Sequence, residues 1–171
     1  VAPGRGAGRA GFTGLGTGLH KPAHAATLTV TNLNDSGAGS LRDRVAAASP
    51  GETISFSVTG TITLTKGEII LDKNLSIAGP GAGSVSISGN NSSRVFSVSN
   101  NSTVSISGVT VKNGRNAGAN GSPGSTPPGG GGGGGAGLGG NIVVASGSSL
   151  TINSSVIASG EARGGNGANG G

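Results

Sequence analysis

The sequence has no cysteine, methionine, tryptophan or tyrosine, and only three phenylalanines in 171 residues. The missing cysteine excludes a disulfide framework and thiolate metal sites. So little aromatic mass argues against an ordinary globular core, where large rings supply much of the buried area. Acids are scarce, with six Asp and Glu against eleven Lys and Arg. No apolar run approaches the roughly 20 residues that cross a bilayer as a helix, so no transmembrane segment is expected. Without an initiator methionine, a processed or trimmed chain is expected.

The chain has 38 glycines. Its apolar residues are mostly Val, Ile, Leu and Ala, spaced by Ser, Thr and Asn. Its most informative feature is a repeat. Residues 94–114 align without a gap on residues 140–160, an offset of 46 positions. Phe96 falls on Ile142, Val98 on Val144, Val104 on Leu150, Ile106 on Ile152 and Val111 on Ile157. A recurring strand-turn-strand unit cannot bury its inner face alone, so copies must stack. The expected fold class is all-β: a right-handed parallel β-helix, or β-solenoid, with a short N-terminal capping helix and Gly-rich corner insertions.

Residues 1–26 read as a flexible Gly/Ala-rich basic leader. Ala23-His24-Ala25 has the form of a signal-peptide cleavage site, but no apolar h-region precedes it. Residues 27–52 read as a capping strand and helix. Leu28 and Val30 alternate with Thr in the opening strand. Ser40 and Asp43 form a capping box, and Leu41, Val45 and Ala48 recur at helical spacing. Ser49-Pro50-Gly51 stops that helix. Residues 53–160 read as β-helix coils of roughly 20 residues, with a Gly-rich insert at 115–139. Residues 161–171 form a second Gly-rich stretch, which begins at the same corner as the first. Corner insertions leave stacked strands untouched. The insert has two readings, a flexible loop or polyproline-II-like threads packed on each other. Pro123, Pro127 and Pro128 favour the threads.

The motifs TLTVTNLNDSGAGSLRD, PGETISFSVTGTITLT and LDKNLSIAGPGAGSVSISGNN resemble the N-terminal region of bacterial secreted right-handed parallel β-helix proteins, the adhesin-like and polymorphic outer-membrane types. The resemblance covers about half the chain, from Thr27 to Gly114. It implies that the GSLRD segment is a short helix capping the open end of the solenoid. It implies little about activity, because this fold hosts adhesins, lyases, hydrolases and fibres alike.

Candidate chemistry is sparse. Polysaccharide hydrolases need acid pairs flanking the scissile bond, and the related lyases need several carboxylates around Ca²⁺ and a cationic base. The chain offers Asp35, Asp43, Glu52, Glu68, Asp72 and Glu161. Only Glu68 and Asp72 lie close along one coil, flanked by Lys66 and Lys73; they read as a solvated edge before a weak cation site. His20 and His24 have i, i+4 spacing but no helical pattern, with Pro22 between them. No Ser or Thr sits in a nucleophile elbow, and GPGAG lacks the Lys of a phosphate loop. The sequons at Asn74, Asn90, Asn101 and Asn153 read first as corner asparagines. No residue is therefore assigned as catalytic, cofactor-binding or metal-binding, and no cofactor is expected.

The net charge of +5 owes much to Arg5, Arg9 and Lys21, which lie in an acid-free leader. Without basic clusters and interleaved aromatics, no nucleic-acid partner is expected. The expectation is a non-enzymatic, extracellular structural or adhesive module, secreted or on a bacterial cell surface. The alternative is a non-catalytic N-terminal fragment of a larger β-helix polysaccharide lyase or hydrolase. The C-terminal coil has no plug in the sequence, so the expectation is either self-association there, which would build a filament, or continuation into a longer solenoid. Surface or matrix glycans are the candidate ligands.

Overall fold

The computed structural model describes residues 26–124 and 130–168. The expectations for the leader, including His20 and His24, and for Pro127 and Pro128 lie outside the described residues. The chain winds through stacked rungs. Strand β1 (Thr27–Val30) and helix α1 (Leu41–Ala47) open it. The next rung holds β2 (Glu52–Phe56), β3 (Gly60–Thr63) and β4 (Ile69–Leu71). Above it lie β5 (Leu75–Ala78), β6 (Val85–Ser88) and β7 (Phe96–Val98). Then come β8 (Thr103–Ser107), β9 (Thr110–Lys112), β10 (Arg115–Ala117) and, after the insert, β11 (Ile142–Val144). The last rung is β12 (Ser149–Asn153), β13 (Val156–Ala158) and β14 (Glu161–Arg163).

All strand pairs are parallel. The sheets run β1-β2-β5-β8-β12, β3-β6-β9-β13 and β4-β7-β11, with a two-stranded β10-β14 sheet at one corner. This is a parallel β-helix, whose crossovers wind right-handed as a rule. The expected register is observed: Phe96 pairs with Ile142, Val104 with Leu150 and Val111 with Ile157. The 46-residue offset is one rung, because the insert lies between β10 and β11. Other rungs are shorter; Glu52 pairs with Leu75, and Leu75 with Val104.

Alternation explains the core. Every second residue of each short strand points inward and meets its like in the next rung. Ile54, Ile77 and Ile106 form one buried column, and Ile62, Ile87 and Val111 another. Burying each such side chain fully contributes about 1.5–3 kcal/mol. In the last rung the same columns reach solvent: Ile152 and Ile157 are 38% and 44% exposed. Corners turn on asparagine. Asn90, Asn91, Asn100, Asn101 and Asn113 all have φ between 53° and 61°, left-handed values that asparagine tolerates better than most residues.

Helix α1 covers the first rung with Leu41 and Val45. Ser40 is its N-cap, and its hydroxyl accepts from the Asp43 N–H at 3.2 Å. The reciprocal carboxylate bond falls one residue outside the expected box, on Gly39 N–H at 2.9 Å. At the other helix end Lys73 Nζ lies 3.2 Å from the Ala48 carbonyl, where a cation complements the helix dipole.

Asp35 staples this cap to the next rung. It accepts from Thr65 N–H at 2.9 Å, Lys66 N–H at 2.8 Å and Arg42 Nη2 at 2.8 Å. Burial pushes its carboxyl upward, but the Thr65 and Lys66 amides and the Arg42 guanidinium outweigh burial and hold it below the usual range. A carboxyl depressed by folding stabilises above its unfolded pKa, and the contribution is lost as pH falls through the folded value. Asp35→Asn is therefore expected to cost about 2 kcal/mol at neutral pH and to flatten the acid side of the stability curve. Urea titrations across the acid range check this; an unchanged acid limb would remove Asp35 from the account.

The Gly-rich segments are ordered as threads. Gly118 N–H bonds to the Arg163 carbonyl and Gly121 N–H to that of Asn166, at 2.8 and 2.7 Å. Gly132 and Gly135 N–H bond to the carbonyls of Ser122 and Ala119, at 2.9 and 2.7 Å. Gly165 and Ala168 N–H bond to those of Gly135 and Gly132, at 2.7 and 3.0 Å. Donors recur every third residue, the period of a polyproline-II helix. Each thread donates to the next, so segments 118–122, 132–137 and 163–168 close a three-membered ring. The thread reading of the insert holds for its described residues.

Candidate functional site

One corner of the β-helix gathers charge. Arg94, before β7, donates through Nε and Nη2 to the two Glu68 carboxylate oxygens at 2.5 and 3.2 Å. Its Nη1 reaches the Leu138 carbonyl at 3.1 Å. The hydrogen bond to Glu68 raises the Arg94 pKa further above its usual value; burial opposes this and the Glu68 charge adds to it. One rung further along the same corner, β10 and β14 align Arg115 with Glu161 and Ala117 with Arg163. Glu161 Oε2 lies 3.5 Å from Arg115 Nε, and Oε1 bonds Arg163 Nε. One carboxylate thus faces two guanidiniums, and one positive charge is left over.

The threads carry this corner outward. Asn166 N–H donates to Asn120 Oδ1 at 2.9 Å. Arg115, Arg163, Asn120 and Asn166, with Gly118 and Gly164 between them, line a groove of about 490 Å³.

Asn141 holds the base of the insert and escapes sequence reasoning. It is 6% exposed. Its Oδ1 accepts from Gly114 N–H at 2.7 Å, and its Nδ2 donates to the Ala158 carbonyl at 2.8 Å. The one signal was a mismatch in the repeat, which sets Asn141 against apolar Val95.

The expected acids do not converge. Glu68 is held by Arg94, while Asp72 lies 4.0 Å from Lys73 Nζ. Glu52 accepts from Ser49 N–H at 2.8 Å, and Asp43 pairs with Arg44 at 3.0 Å. Among the described residues no three Asp, Glu, His or Cys side chains gather as a metal site. These carboxylates, each met by its own donor or cation, do not fit a calcium cage. Of the sequons, Asn90 and Asn101 take the left-handed corner conformation. Asn74 accepts from Thr103 N–H at 2.7 Å, and Asn153 lies in β12.

No family model matches the chain, and no solved structure matches it. Two curated relatives do. Probable pectate lyase C of Aspergillus oryzae is 40% identical over 83 residues, spanning 47% of this chain and 19% of the relative. Probable pectate lyase C of Aspergillus flavus matches with the same figures. The chain thus spans less than a fifth of the length of the relatives it matches. Two expectations are corrected. The chain is not to be read as a non-enzyme, since the relatives are named as enzymes. The resemblance to bacterial adhesin-like proteins holds only for the parallel β-helix, since these relatives are fungal. Among the described residues no helix is long and apolar enough to cross a membrane.

Proposed function

We propose that this chain is a capped β-helix segment of an extracellular polysaccharide lyase acting on an acidic glycan. The observation that carries the reading is the 40% identity over 83 residues to two probable pectate lyases. A parallel β-helix with a helix-covered first rung is compatible with it. A lyase removes the proton beside a uronate carboxylate and expels the neighbouring glycosidic oxygen, leaving a double bond in the sugar. That elimination asks for cations to neutralise the carboxylate as charge builds on it. The corner at Arg115 and Arg163 has such a surplus cation. The open last rung gives further coils a surface on which to stack.

The test is incubation of the purified protein with polygalacturonate, followed by ultraviolet absorbance of the product. A growing absorbance from unsaturated uronates is expected. Release of reducing ends without unsaturation would make the protein a hydrolase, and no cleavage with or without added calcium would sink the lyase reading.

A further inference from the structure

We propose that the groove between Arg115 and Arg163 binds a carboxylate-bearing, hydroxyl-rich chain, and that the Gly-rich threads exist to extend it. The inference rests on the reading above only in taking the ligand to be a glycan; the carboxylate is read from the arginines themselves. Arg115 and Arg163 sit on neighbouring rungs, and their Cα atoms are offset by two residues along the strand. That places them roughly 8 Å apart, from a 4.8 Å rung and a 3.3 Å rise per residue. Glu161 lies between them and meets each guanidinium mainly at Nε. Arg115 Nε is buried without a hydrogen-bond partner. Among the described residues no protein acceptor is hydrogen-bonded to an Nη atom of either arginine. The outer edges of two guanidinium forks are thus left for a ligand, and a guanidinium fork matches a carboxylate in shape and charge.

Beyond the arginines the groove changes chemistry. Asn120 and Asn166 line it, and a side-chain amide offers both a donor and an acceptor to a sugar hydroxyl. Neither residue is placed by the β-helix itself. The threads carry them, locked together by the Asn166 N–H to Asn120 Oδ1 bond and by Gly121 N–H to the Asn166 carbonyl. A cation end followed by an amide end, with no aromatic platform, suits an acidic oligosaccharide better than a neutral ring that must be stacked.

Calorimetric titration of the purified protein with an oligogalacturonate tests the assignment. A neutral oligosaccharide of equal length and inorganic phosphate are run beside it. Arg115→Gln and Arg163→Gln, alone and together, keep the hydrogen-bonding stem and remove the charge. Lys66→Gln, on an earlier rung and outside the groove lining, controls for net charge; thermal melts confirm folding. The acidic oligomer is expected to bind, to weaken about tenfold in the double variant and to weaken with added salt. The neutral oligomer and phosphate are expected not to compete. Unchanged binding in the double variant, equal weakening by Lys66→Gln, or equal displacement by phosphate would overturn the groove. The two readings separate. Cleavage to unsaturated product with unaltered binding in the variants would leave the lyase and discard the groove. Variant-sensitive binding without cleavage would do the reverse.

Discussion

Truncating Phe96 to alanine is expected to lower stability by about 3–5 kcal/mol. The ring is fully buried. It stands in a column with Ile69 on one rung and Ile142 on the next. Shortening it removes contact with both neighbours, and rungs fixed about 4.8 Å apart by backbone hydrogen bonds cannot close over the void. The same column logic sets the expected loss elsewhere. Val111 is fully buried and Ile157, its partner in the last rung, is 44% exposed. Ile157→Ala is therefore expected to cost roughly half of what a buried isoleucine would, despite removing more carbon than Val111→Ala. Urea unfolding followed by circular dichroism measures all three. A Phe96→Ala variant within about 1 kcal/mol of the parent would mean that the rungs relax, and the fixed-rung account would fail.

The β-helix was legible because its signal is repetitive. An inward residue at every second position, turned at asparagine and glycine, gives the same answer at each rung, and the 46-residue offset fixed the pairing of three columns. Ser40, Leu41 and Val45 made the cap legible for the same reason: local capping and spacing agree. The corner site was not legible. Arg94 and Glu68 are 26 positions apart, and Arg115 and Glu161 are 46 apart. Only the wound chain makes them neighbours. The sequence instead offered Glu68 with Asp72, four residues apart; the strand between them, Ile69–Leu71, leaves Glu68 to Arg94 and Asp72 to solvent. The Arg94–Glu68 and Arg115–Glu161 pairs of this corner join residues on successive rungs, so spacing along the chain does not show them. Function was the least legible. The scarcity of acids suggested a non-enzyme, whereas composition counts groups and says nothing of where the fold places them, and the relatives are named as enzymes.

Not all glycines of the insert should matter alike, and this is where composition gives no guidance. A Cβ on Gly121 would fall inside van der Waals contact of the Gly132 carbonyl, and one on Gly165 would meet the Ala119 carbonyl. Both contacts are with backbone, which cannot rotate away. Gly133 lies in the polyglycine run next to Gly132, yet a Cβ there meets nothing within 4 Å, and its φ lies outside the left-handed region. Gly121→Ala and Gly165→Ala are therefore expected to force the threads apart, at a cost of about 1–3 kcal/mol or more in local stability. Gly133→Ala is expected to be neutral, or to stabilise by about 0.4–1 kcal/mol by restricting the unfolded chain. Amide hydrogen exchange reads the difference. In the first two variants the thread amides of Gly118, Gly132 and Gly135 should lose protection. The β-helix amides should keep theirs, because the threads join the rungs only at a corner. A flexible loop would treat the three substitutions alike, so equal exchange in all three would refute the ring of threads. If the ring does come apart, Asn120 and Asn166 lose their common anchor while Arg115 and Arg163 stay on β10 and β14. Binding of an acidic oligomer to Gly121→Ala should then weaken and keep its salt dependence, which separates the amide end of the groove from its cationic end.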